Sequence, residues 1–103
     1  MKNNLFVVVL KYIVSLETID AHRAAHLKFL DNYYSYGILL ASGPQAPRVG
    51  GVIIAKCSSK ETLEKILEND PFWINNLAEY QILEFTPAKH APCLNAILNE
   101  DRL

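Results

Sequence analysis

Two short stretches constrain this chain most: "LFVVVLKYI" at residues 5–13 and "VIIAKC" at residues 52–57. Both are rich in β-branched residues and apolar without clean alternation, the pattern of strands buried on both faces. A helical layer covers only one face of a sheet. The other face then needs a cover of its own, and the rest of the chain has to be read for one.

Residues Asp20 to Tyr36 contain no Gly or Pro and repeat with a helical period, and Gly37 supplies a C-terminal stop. "ILLASGP", residues 38–44, reads as a second strand ending in a Gly-Pro turn, and "QAPRVGG", 45–51, reads as a loop. After the third strand, "SSKE" predicts a capping box in which Ser58 accepts from the backbone N–H of Glu61 and Glu61 reaches back. The helix it opens extends to Asn69. Pro71 then ends it or starts a short turn, because a residue before proline is pushed out of the α region. "YQILEFT", residues 80–86, is the last strand, and a short helix is expected over "LNAIL" in the remainder. We therefore expect a domain at residues 1–87 and a tail at 88–103 that packs on the domain or on a partner subunit.

The order β-α-β-β-α-β predicts an α+β, ferredoxin-like fold with an antiparallel sheet and both helices on one face. No remaining segment is large enough to cover the bare face. The expectation is a second copy packing sheet to sheet, a dimeric α/β barrel, with a tail folded over part of the face as the alternative. Composition points the same way: of 103 residues, 50% are hydrophobic and 20% charged, which suits one compact domain. A chain this small buries only about two-thirds of its unfolded surface, so an apolar-rich one gains by self-association.

Ten basic and eleven acidic residues give a net charge of −1 with no Lys/Arg cluster, which argues against a nucleic-acid partner. The start, "MKNNLFVVVLKYIV", resembles a signal peptide, but Lys11 interrupts the apolar run and no small-residue cleavage site follows. No stretch approaches the roughly 20 apolar residues of a membrane span. The expectation is a cytoplasmic protein without membrane contact. Cys57 and Cys93 lack metal-type or CxxC spacing and are expected to be reduced thiols.

Winding "IDAHRAAHLKFLDNYYSYG" at a helical pitch puts Ile19, Leu27, Leu30, Tyr33 and Tyr34 on one side and Lys28, Asp31, Asn32 and Ser35 on the other. His26 falls in the middle of the apolar side, with Arg23 one turn back. A core histidine bonded to a carbonyl, with Arg23 snorkelling outward, would explain this; so would a pocket lined by the pair. "LENDPFWINN", residues 67–76, raises the matching question, for it sets Asp70 beside Pro71, Phe72 and Trp73. A buried carboxylate is costly unless paired, and a buried imidazole needs a fixed tautomer. In this topology the segment after the second helix reaches the first, so Asp70 is expected to hold His26, with Phe72 and Trp73 as pocket walls. Such a pair orients a general base.

"HRAAH" also permits a metal reading, with His22 and His26 at i, i+4 and Asp70 as a third ligand. That spacing is common by chance and no further ligand is in place, so a metal-free pair is preferred. His90, near Pro92, is read as a surface residue. The residues imply no cofactor: no GxGxxG follows a strand, and neither cysteine has a base nearby.

"RAAHL" (Arg23 to Leu27), Gly37, "SGP" (Ser42 to Pro44), "GG" (Gly50, Gly51) and "DPF" (Asp70 to Phe72) occur in an order and spacing that resembles the YCII-related (YciI-like) family over residues 5–86. The resemblance implies a ferredoxin-like fold, a dimeric α/β barrel, and an active site on His26 and Asp70. It also implies Arg23 and the backbone of Ser42 and Gly43 as pocket neighbours. Members commonly carry a glycine where Asn76 stands; Asn tolerates positive φ best among the other residues, so the turn is expected to survive. Related α/β-barrel proteins include isomerases, lyases and oxygenases acting on small, often aromatic, molecules.

Two functions follow. One is a small cofactor-independent enzyme in which His26 and Asp70 transfer a proton, isomerase- or lyase-type, on an enolisable or aromatic molecule while Arg23 holds a carboxylate or oxyanion. The alternative is a non-catalytic small-molecule-binding or accessory dimer using the same pocket.

Overall fold

The computed structural model describes residues 4–98; the expected domain and tail limits at residues 1 and 103 lie outside them. Strand β1 (Asn4–Tyr12) is central. It pairs antiparallel with β3 (Gly50–Cys57) on one side and β4 (Ala78–Phe85) on the other, and β2 (Leu39–Pro44) closes the far edge beside β3. The sheet order β2-β3-β1-β4 is that of a ferredoxin-like domain. Helix α1 (Leu16–Ser35) connects β1 to β2, and α2 (Lys60–Leu67) with the single turn α3 (Pro71–Ile74) connects β3 to β4.

Register decides which residues meet the helices. Val8 stands opposite Ile53 and Ile82, and Phe6 opposite Ala55. Phe6, Val8, Leu10, Ile53 and Ala55 are buried, with Ile19 and Leu30 of α1, Leu63 and Leu67 of α2, and Phe72 of α3 in the same core. One residue out of step, Val7 stands opposite Ile54 and Leu83, and Leu5 opposite Lys56 and Phe85. This second face is apolar too, as the unbroken hydrophobicity of β1 and β3 required. Leu83 and Phe85 remain about half exposed on it.

The tail reaches one corner of that face. A 3-10 turn (Pro92–Leu94) leads into α4 (Asn95–Leu98), and Lys56 Nζ donates to the carbonyl of Ile97 at 2.9 Å. Lys56 is buried in consequence.

Local signals explain where the elements begin and end, and they move two expected boundaries. Helix α1 starts a turn before Asp20, because the Ser15 hydroxyl accepts from the backbone N–H of Thr18 at 3.2 Å. The capping box expected on Ser58 and Glu61 does not form. Ser59 is the N-cap of α2, and its hydroxyl accepts from the N–H of Thr62 at 3.1 Å. Gly37, with φ of +76°, ends α1 as expected, its N–H reaching Tyr34 O at 3.0 Å. Gly50 answers to space: a Cβ there would lie 1.8 Å from the Leu10 carbonyl oxygen.

Candidate active site

Asp70 precedes Pro71 at the start of α3 and is fully buried. The proline sets the extended backbone of residue 70 and the first turn of α3, which turns the Asp70 side chain back onto its own helix. Its Oδ1 accepts from the backbone N–H of Phe72 at 3.0 Å and from His26 Nδ1 at 2.8 Å. Its Oδ2 accepts from the Tyr80 hydroxyl at 2.6 Å. Three donors, from α3, α1 and β4, thus surround one carboxylate. That is what lets a carboxylate stay in an apolar corner.

Because Asp70 accepts, Nδ1 of His26 is the protonated nitrogen and Nε2 is left with its lone pair. Nε2 has no hydrogen-bond partner among the described residues, and the ring lines a cavity. The imidazole lies flat on Phe72, centroids 3.9 Å apart and planes within 2°. Carboxylate behind and aromatic ring beneath together fix its orientation. Tyr80 keeps its proton: burial first, and the neighbouring Asp70 carboxylate second, push its phenol well above the ordinary range.

The cavity holds about 350 Å³ between α1, the β2–β3 end of the sheet and α3. Its walls include Leu10, Leu30, Ile53 and Phe72, and its polar groups are Tyr12, Arg23, His26, Ser42 and Arg48. Of the residues expected at a site, His26, Arg23, Ser42, Gly43 and Phe72 share this cavity, and Asp70 sits behind His26. Ser42 is held by Tyr34, whose hydroxyl lies 2.6 Å from its own. Trp73, expected as a pocket wall, does not line the cavity. It packs against Tyr80 with centroids 4.9 Å apart, because α3 is a single turn and places consecutive side chains on different sides. Leu27, expected in the apolar stripe of α1, is about half exposed and lines the cavity, while Phe29 is buried with Ile19 and Leu30.

His22 makes a local bond, Nδ1 donating to the Thr18 carbonyl at 3.0 Å, and does not join His26 and Asp70. No group of three metal-ligating side chains occurs among the described residues. Cys57 is buried and Cys93 exposed, both as free thiols.

Two residues of the site carry no signal of their own in the sequence. Tyr80 reads as an ordinary strand aromatic; only the unmet second oxygen of Asp70 asks for such a donor. Arg48 reads as a solvated loop residue, yet it lines the cavity and pairs with Asp20 of α1. The hydrogen bond between them lowers the Asp20 carboxyl and raises the Arg48 guanidinium from their ordinary values, with Tyr12 adding a smaller effect on Arg48.

Fold and site together define an α+β domain of ferredoxin-like topology whose first helix presents a carboxylate-held histidine to a small cavity. The chain belongs to the YCII-related domain family, whose model matches residues 5–86. Among solved structures it is similar to 5-chloro-2-hydroxyhydroquinone dehydrochlorinase (TftG) from Burkholderia phenoliruptrix AC1100, in complex with 2,5-dihydroxybenzoquinone. That likeness has a TM-score of 0.70 at 23% identity, over 84% of this chain and 95% of that one. No curated protein matches the chain in sequence. No helix among the described residues is long and apolar enough to cross a membrane.

Proposed function

We propose that the protein is a small enzyme in which His26 moves a proton on a small, enolisable or aromatic molecule, working without a cofactor. The observation that carries the reading is the 2.8 Å bond from His26 Nδ1 to buried Asp70, which leaves Nε2 with its lone pair on a ring that lines the cavity. His26 is the catalytic base, returning its proton as an acid later in the cycle. Asp70 is a positioning residue that fixes the tautomer and stabilises the imidazolium. Arg23 offers its charge to an oxyanion as the substrate is deprotonated. Elimination or isomerisation is the matching outcome. A dehydrochlorinase removes HCl, so the neighbour TftG is named for chemistry of this class. The working unit in this reading is a homodimer joined through the open sheet face, in the cytoplasm.

The test is turnover on a panel of hydroxylated quinones and chlorinated hydroquinones. His26→Ala is expected to abolish it. Asp70→Asn is expected to lower kcat by about 10²–10⁴ with a smaller change in KM, the size of a general-base contribution. The imidazole ¹⁵N shifts should report loss of the Nδ1–H tautomer in Asp70→Asn. Full activity in His26→Ala would overturn the proposal. Ligand binding without turnover of any panel member would favour the binding-module alternative.

A further inference from the structure

Two guanidinium groups reach the cavity, and the proton-transfer reading uses only one of them, Arg23. Arg23 comes from α1 and Arg48 from the loop between β2 and β3, and both line it; no Asp or Glu does. Arg48 is held on its outer side by Asp20, with Nη1 donating to Oδ2 at 3.4 Å and Nη2 pairing with Oδ1. Tyr12 approaches the guanidinium as well and is itself part of the cavity wall.

A surface ion pair contributes little to stability. Its consequence here is geometric. A loop arginine that would otherwise sweep through solvent is fixed in the wall of the cavity. Guanidinium has five N–H donors in a rigid fork, and Asp20 engages two of its nitrogens on one side. The remaining donors suit a planar, two-oxygen anion better than a single hydroxyl.

The rest of the wall sets the body of the ligand. Leu10, Ile19, Leu30, Val52, Ile53 and Phe72 form a mostly apolar enclosure of about 350 Å³. This lies at the small end of the roughly 300–1,000 Å³ typical of ligand sites. We infer that the cavity takes a small carboxylate with a compact apolar body, and that Arg48, positioned by Asp20, is the residue that selects for the carboxylate. The inference rests on the reading of this cavity as the substrate site and narrows its substrate class. It asks nothing of the proton-transfer step.

The experiment is an amide NMR titration of the whole chain at pH 7 and low salt, with sodium benzoate and with benzamide. The two probes share shape and differ in charge. Benzoate is expected to saturate, to shift the amides of Ser42 and Gly43 and of residues 48–53, and to bind about tenfold or more tighter than benzamide, as one charge-assisted hydrogen-bonded pair allows. Arg48→Gln should cut that preference to what Arg23 alone supplies, while Arg48→Lys should keep more of it, retaining the charge and losing the fork. Equal binding of the two probes to the wild type would overturn the inference, as would saturable binding of neither, shifts mapping away from the cavity, or an undiminished preference in Arg48→Gln. The catalytic reading is tested separately, by turnover in His26→Ala, and its failure would leave the benzoate preference and its reduction in Arg48→Gln standing.

Discussion

Asp70 is a charge in an apolar corner, and its three donors differ in what their loss should do. Tyr80→Phe removes the donor to Oδ2 and keeps the ring against Trp73. It is expected to destabilise the fold by about 1–3 kcal/mol at neutral pH, the penalty for a buried acceptor left unmatched. The pH dependence has a definite sign. Tyr80's folded value is raised, so its contribution is complete below the unfolded tyrosine value near 10 and falls as pH climbs from there toward the raised folded value. The stability gap between wild type and Tyr80→Phe should therefore be constant at neutral pH and narrow above about pH 10, followed by urea titration across the alkaline range. His26 and Asp70 were legible in the sequence because each is a polar residue in an apolar setting, which demands a partner. Tyr80 and Arg48 were not, because a strand tyrosine and a loop arginine need no explanation until the neighbours are known.

At the scale of elements, the hydrophobic periods and the Gly and Pro positions carried most of the fold. The caps carried the errors. Ser58 and Ser59 offer the same side chain, and a rule based on spacing favoured the pair Ser58–Glu61; the extended backbone at Ser59 placed the cap one residue on. Ser59→Ala is expected to cost about 1 kcal/mol, while Ser58→Ala stays within a few tenths, both read from thermal melts. Helix α1 was likewise shortened in the sequence reading, since its first turn precedes the apolar period at Ile19 and is set by Ser15 alone. Asn76 went the other way. The turn there was expected to survive with Asn in place of Gly, and its φ of +55° is the left-handed conformation that Asn tolerates.

At the scale of the molecule, the apolarity of β1 and β3 on both sides foretold a second face that the helices do not cover, and Leu5, Val7, Val9, Ile54, Leu83 and Phe85 make that face largely apolar. The tail touches it at Lys56 and leaves Leu83 and Phe85 about half exposed. Under the homodimer reading, sedimentation of the wild type should give twice the chain mass, and Leu83→Glu should weaken or abolish the dimer by setting a charge on the apolar face that the partner would cover. A wild type that sediments as a monomer would remove that part of the proposal. The arrangement around Asp70 also bears on how such a chain can fail. Its ligating groups lie 44 residues before it, two after and ten after, on three elements that meet only in the finished domain. No fragment or half-formed intermediate contains the constellation. The site is therefore a certificate of completed folding: a chain that shows the three bonds to Asp70 has docked its first helix, set its short third one and zipped its last strand.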